Sequence, residues 1–248
     1  MCPPLSPSGT APSWGALPQW GEGVSWGTSM KTRILAILAA LLMSIGLLAA
    51  AIYIPATADW VMLPLMEHYA PPENTGLPAA EYAPVADMIT GYLRGGNDDF
   101  QHVFTVDGAE YAAFNQKEQH HMADVQDLFR LCRFAAWVSW GIVIFGGLSV
   151  RRKIAWRTFR RTIVAILAVV TVVIVLACID FDSLFVLFHK VAFTNDLWLL
   201  NPRTDMLIRL MPLEFFISYA AIIGGGWLLG MAALLICATH RIKITKGE

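Results

Sequence analysis

Two short polar stretches carry the side chains able to do chemistry. In the first, residues 118–124, a helical backbone would set Glu118, His121 and Asp124 three residues apart on one face, with His120 about 100° away. A carboxylate so placed orients one imidazole nitrogen while the other meets a substrate, as a general base requires. A solvated, charged helix face has the same spacing. The second stretch gathers His189, Asn195, Asp196, Trp198, Arg203 and Asp205, interrupted by the turn signal Asn201-Pro202. That density of unlike polar groups suits hydrogen-bonded positioning of a headgroup or an oxyanion. His189, Lys190 and Trp198 would equally serve as anchors at a membrane interface.

The elements that must position these groups belong to a membrane. The chain has 248 residues, of which 56% are hydrophobic and 15% charged, against about a quarter charged in soluble domains. Four apolar runs, residues 31–54, 134–150, 163–180 and 215–239, are long enough to cross a hydrocarbon core about 30 Å thick. The first could be a cleaved signal peptide, because Ala56-Thr57-Ala58 imitates a cleavage site, but its apolar run exceeds the usual h-region of about 7–15 residues. An uncleaved anchor is expected. Gly224, Gly225, Gly226 and Gly230 offer close-packing surfaces on the fourth span. Residues 1–30, rich in Pro, Gly, Ser and Trp, cannot form a periodic helix face or a core and are expected to be disordered; Met30, followed by Lys31 and Arg33, reads as a natural start.

The remaining segments sort by charge. Lys31 and Arg33, the basic loop 151–162 and the tail 240–248 lie on one side of the four spans, whereas segments 55–133 and 180–214 hold seventeen of the nineteen acids. The positive-inside rule then makes both termini cytoplasmic and puts both polar stretches outside. The expected architecture is a membrane α-helical fold, four transmembrane helices with a small extracytoplasmic mixed α+β cap over 55–133 and an active-site loop over 181–214. Within the cap, residues 100–106 read as a strand and 116–130 as a helix.

Serine-elbow, zincin, P-loop and dinucleotide motifs are lacking, and nothing in the charge balance suggests nucleic acid. The four cysteines, Cys2, Cys132, Cys178 and Cys237, form no metal-ligand pattern, although Cys132 and Cys178 near the outer ends of spans could form a disulfide. Two separated histidines without a nucleophile fit direct, proton-shuttled transfer better than a covalent acyl-enzyme. Two other readings stay open: a non-catalytic protein whose external part binds lipid or a partner, and a metal-dependent membrane hydrolase with Glu118, His121, Asp124 and His189 as ligands.

The two stretches resemble the lipoprotein intramolecular transacylase (Lit) family of bacterial integral membrane proteins. The matching residues are Glu118-x-x-His121-Met122-x-Asp124-Val125 and Phe188-His189-x-x-x-Phe193-x-Asn195-Asp196-x-Trp198-Leu199-Leu200, continued by Pro202, Asp205, Leu207, Ile208 and Pro212-x-Glu214-x-Phe216. Asn201 stands where the family pattern favours Asp. The resemblance implies a multi-pass protein of the bacterial plasma membrane, expected to be monomeric, without cofactor or metal, whose partners are membrane lipids and a diacylated lipoprotein. In the implied reaction, the acyl chain on the second glycerol position moves to the α-amino group of the lipoprotein's N-terminal cysteine. His121 and His189 would be its base and acid; Glu118, Asp124, Asn195, Asp196, Trp198, Arg203 and Asp205 would support or position, with Asn195, Trp198 or Arg203 facing the oxyanion.

Overall fold

Small residues decide which helix lies at the centre. Helix α1 (Met30–Ala56) buries Ala36, Ala40 and Ser44 at four-residue intervals, with Gly46 and Ala49 beyond them. This stripe lets other helix backbones come close. Three long helices use it: α5 (Gln116–Ser149), α6 (Trp156–Ile179) and α9 (Leu213–Gly247) all pack on α1, and α6 also packs on α9. The computed structural model describes residues 29–96, 99–149 and 155–247; the disorder expected of the N-terminal extension falls outside them except at residues 29 and 30, and of the basic loop 151–162 residues 151–154 fall outside them.

Inside the α1–α6–α9 contact lie Phe159, Ile163, Trp227 and Met231, and the Trp227 indole N–H donates to the Ser44 carbonyl at 3.1 Å. The outward faces are apolar, as Phe134 and Trp137 on α5 and Val172 and Leu176 on α6 illustrate. Four described helices, containing Met30–Ala56, Gln116–Phe145, Trp156–Ile179 and Leu213–Thr245, are long and apolar enough to cross a membrane. The chain is therefore a multi-pass membrane protein.

Between α1 and α5 stands a cap made of α2 (Asp59–Tyr69), α3 (Pro72–Thr75), a 3-10 turn (Ala79–Glu81), α4 (Tyr82–Arg94) and a two-stranded hairpin, β1 (Val103–Val106) and β2 (Ala109–Ala112). The strands are antiparallel, with Phe104 opposite Tyr111. Asp107 and Gly108 take φ of 53° and 80°, the left-handed pair that a tight Asp-Gly hairpin turn demands. The strand is shorter than the expected 100–106. Ahead of it the Gln101 amide bonds both the N–H and the carbonyl of Phe114, closing the hairpin base through a side chain. One core joins cap to bundle, since Met66, Val85, Ile89 and Phe114 pack in the same cluster as Met122, Leu210, Phe215 and Tyr219.

Several boundaries differ from the sequence expectation. The helix expected at 116–130 and the span expected at 134–150 are one helix, α5, because no Gly, Pro or polar turn separates them. The third span begins at Trp156, so Arg157, Arg160 and Arg161 lie on its first turns rather than in a loop. The tail 240–247 continues α9. Segment 181–214 contains α7 (Phe181–Ala192) and α8 (Met206–Leu210). Of the four glycines on α9, only Gly230 is tightly packed, a Cβ there meeting Leu47 at 2.8 Å, while Gly224 and Gly225 face open space; at about 100° per residue a run of three glycines cannot all face one neighbour. The disulfide does not form: Cys132 and Cys178 are free thiols, held on helices that each pack on α1.

Candidate active site

Helix α5 starts with a capping box. The Asn115 side-chain oxygen accepts the Glu118 N–H at 3.1 Å, and the Glu118 carboxylate accepts the Asn115 N–H at 2.8 Å. The second Glu118 oxygen accepts the Leu207 N–H in the first turn of α8, at 2.6 Å. Asp205, which precedes α8, accepts from the Asn115 amide at 2.9 Å, the Asn201 N–H at 2.7 Å and the Thr204 hydroxyl at 2.8 Å. Both carboxylates are buried, Glu118 at 1% exposure and Asp205 at 4%. For Asp205, burial pushes the carboxyl pKa up, but the three hydrogen bonds and the Lys117 charge together outweigh it and the net shift is downward. These residues form a clasp between α5 and the 201–210 segment, reinforced where Lys117 donates to the Leu199 carbonyl. Glu118 thus does not orient His121, the role its spacing had suggested. Asn201 uses its side-chain oxygen to accept the Arg203 N–H at 3.0 Å, an Asx turn for which Asn suffices.

One turn after Glu118, His121 has different neighbours. It meets His189 of α7 with ring centroids 6.1 Å apart, and the Phe193 ring lies 5.2 Å from it. Aromatic rings surround His189: Phe185 at 4.2 Å, Trp198 at 5.1 Å and Phe188 at 5.3 Å. Helix α7 begins with Asp180, whose side chain accepts the Ser183 N–H at 3.0 Å. The helix turns His189 inward, while Leu187, Phe188 and Val191 stay exposed. The His189 Nδ1 lies 2.7 Å from the Phe185 carbonyl. A carbonyl only accepts, so Nδ1 carries the hydrogen and Nε2 of the neutral ring carries the lone pair. Burial pushes the His189 pKa below its usual value, more than the Phe185 bond raises it. His121 is 7% exposed, and its Nδ1 is a buried nitrogen without a partner among the described residues.

The other expected residues divide. Asn195 closes an Asx turn with the Leu197 N–H at 3.0 Å and donates to Asp124 Oδ2 at 2.8 Å, so it ties the end of α7 to α5. Trp198 lies beside His189 with ring centroids 5.1 Å apart, and Asp196 and Arg203 are exposed. The structure therefore brings together His121, His189, Asp124, Asn195 and Trp198, and gathers Glu118 and Asp205 in the clasp. Asn115 and Phe185 were missed by sequence reasoning, and Phe193 stood in the family-like pattern without a role; of the two missed, only Asn115 left a signal, the Asn-x-x-Glu capping box. Among the described residues no group of three or more His, Cys, Asp and Glu is placed to hold a metal ion; of the four ligands considered, Glu118 is turned into the clasp.

A pair of imidazoles in an aromatic pocket, one with a fixed tautomer and one with an unpartnered nitrogen, can move a proton between two substrate atoms without a covalent intermediate. The family model described as lipoprotein intramolecular transacylase Lit matches residues 37–216. No curated protein matches the sequence. Among solved structures, the membrane-integral lipoprotein intramolecular transacylase Lit from Bacillus cereus has a similar fold, with a TM-score of 0.72 at 18% identity over 88% of this chain and 99% of that one. Two histidine-substituted forms of it, one to arginine and one to alanine, each give a TM-score of 0.67, at 20% and 19% identity over 87% and 88% of this chain and 94% and 96% of theirs. With the family model covering most of its length, the chain belongs to the lipoprotein intramolecular transacylase (Lit) family of membrane acyltransferases.

Proposed function

We propose that this protein transfers the acyl chain from the second glycerol position of a diacylglyceryl-modified lipoprotein to the α-amino group of its N-terminal cysteine, using His121 and His189. The observation that carries the reading is the 6.1 Å separation of the two imidazoles in a pocket walled by aromatic rings. At that distance both reach one acyl-transfer centre through ordinary hydrogen bonds of about 3 Å. The neutral amine attacks the ester carbonyl and a C–N bond forms. His189, its Nε2 lone pair available because Nδ1–H is held by Phe185, takes a proton from the attacking nitrogen. The C–O bond to glycerol then breaks, and the same proton passes through the imidazole pair to the leaving oxygen. One proton moves from nitrogen to oxygen, and no co-reactant is consumed. The product is an N-acyl, monoacylglyceryl (lyso-form) lipoprotein.

The same reading places both termini in the cytoplasm and the histidine pair on the outer face of the bacterial plasma membrane, in accord with the acids concentrated in 55–133 and 181–214. The protein acts as a monomer, since both histidines come from one chain. Mass spectrometry of a diacylated reporter lipopeptide tests the proposal: His121→Ala and His189→Ala should each lower lyso-form production by about 10²–10⁴-fold while the protein still inserts in the membrane. Full activity in either variant removes that histidine from the mechanism.

A further inference from the structure

We propose that Asp124 receives the substrate's α-amino group, in the groove that α5 forms with the segment following α7. The inference rests on the transacylase reading above and adds to it the residue that positions the nucleophile. Two grooves flank the 193–195 segment. One, about 300 Å³ in volume, has Asp124, Asp127, Leu128 and Leu131 on its α5 wall and Phe193 and Asn195 opposite. The other, about 380 Å³, is lined by Lys190, Asp196 and Trp198 among others. Their charges differ: a lysine ammonium stands in the second, whereas the first presents acids above apolar side chains.

Within the first groove, Asp127 is paired with Arg130 at 2.8 Å. Asp124 uses one oxygen, Oδ2, for the Asn195 amide at 2.8 Å, which fixes the carboxylate in place; no other hydrogen bond or ion pair engages it among the described residues. His121 lies one turn earlier on the same helix, with its buried Nδ1 unpartnered. The substrate's amine is attached a few bonds from a thioether-linked diacylglyceryl group, so it enters as a cationic head next to an apolar body and releases one proton to solvent to become the neutral nucleophile. A groove with one fixed acid over Leu128, Leu131 and Phe193 has that polarity. The carboxylate also favours the positive charge that builds on nitrogen as the C–N bond forms, before the imidazole removes the proton.

The test uses the purified full chain and a fluorescent dialkyl-ether lipopeptide, which has the amine but no ester to transfer, beside its N-acetylated form. The wild type should bind the free amine about tenfold more tightly than the acetylated form. Asp124→Asn keeps an oxygen for the Asn195 bond and removes only the charge, so it should abolish that difference; Asp124→Glu should restore most of it. Asn195→Ala breaks the bond but leaves the charge, and should retain the difference. In the wild type alone, high salt should narrow the gap, which keeps the proposal testable if a variant fails to fold. A wild type that binds both forms equally, or an Asp124→Asn variant that still prefers the amine, overturns the assignment. Failure of the transacylase reading shows separately, as a wild type that makes no lyso-form product from the diester lipopeptide.

Discussion

Replacing Glu118 by alanine should unlatch the 201–210 segment from α5, and slow acyl transfer only as a consequence. The carboxylate, at 1% exposure, accepts from Asn115 N at 2.8 Å and from Leu207 N at 2.6 Å. Losing the cap costs about 1 kcal/mol, and leaving the buried Leu207 N–H unpaired costs about 1–3 kcal/mol more. A total near 3 kcal/mol corresponds to roughly 6–12 °C in melting temperature for a chain of this size. Glu118→Gln keeps an acceptor for one N–H but turns its own amide hydrogens towards the other, so it should fall between wild type and alanine. Thermal unfolding in detergent, followed by intrinsic tryptophan fluorescence, reads the stability; the reporter lipopeptide reads the activity at a temperature where each variant is folded. Activity should drop together with melting temperature, and its pH profile should keep its shape. An alanine variant that melts like wild type yet loses activity with a displaced pH profile would refute the clasp, and would return Glu118 to the imidazole-orienting role suggested by its spacing.

Other perturbations follow from the same geometry. Because burial keeps His189 neutral to below the usual histidine value of 6.5, the enzyme's own acid limb in the rate profile should lie below 6.5, apart from the limb of the substrate α-amino group, which titrates at about 7.7–8.0 when free. A limb at or above 6.5 that does not move when the basicity of the substrate amine is changed would contradict the base role. Folding stability has the same sign, since the unfolded chain takes up that proton first, so unfolding midpoints should decrease as pH falls below about 6.5. At Gly46 an added Cβ would meet Trp140 at 3.0 Å and Ser139 at 3.2 Å, whereas at Gly224 it would meet nothing within 4 Å; Gly46→Ala should destabilise by about 1–3 kcal/mol and Gly224→Ala should be tolerated, as melting curves will report. Cys132→Ala and Cys178→Ala should stay active with or without reductant, as free thiols require; a trapped acyl-cysteine would refute direct transfer. Arg203→Ala should keep activity within about twofold, the range of surface changes, because only the Arg203 backbone N–H joins the Asx turn; a large loss in the reporter assay would place its guanidinium at the oxyanion.

What could be read in the sequence follows from the range over which each signal acts. Hydropathy is a local property of about twenty residues, so the four spans were legible, and their ends were not. The helix expected to end at 130 and the span expected to begin at 134 are joined where α5 simply continues, since basic residues at a water-facing turn do not interrupt helical hydrogen bonding. The histidines stood out by type at the margin of apolar runs. That the two stretches meet on one side was expected from charge and from the resemblance, but the element that pairs the rings was not: it is α7, which follows Asp180 and brings Phe185 and His189 towards α5. Glu118 shows the limit most directly. Three residues before His121, it shares a helix face by spacing, yet its carboxylate reaches Leu207, eighty-nine residues away in sequence. A pattern of i and i+3 fixes which side chains can meet, not which partner brought by another segment takes the bond.

The proposed reaction explains why so much of the polar machinery is structural. Amine and ester belong to one substrate molecule, and well-oriented intramolecular reactions reach effective molarities of about 10⁵–10⁸ M, so the protein has to hold a conformation and pass one proton. Holding falls to bonds outside the imidazole pair: the Glu118–Asp205 clasp fixes the segment after Trp198, and the Asn195–Asp124 bond fixes the segment before it. Trp198 is therefore pinned on both sides against His189. Cutting either tie should loosen the aromatic wall and lower the rate without moving the pH profile, whereas substituting a histidine should change both.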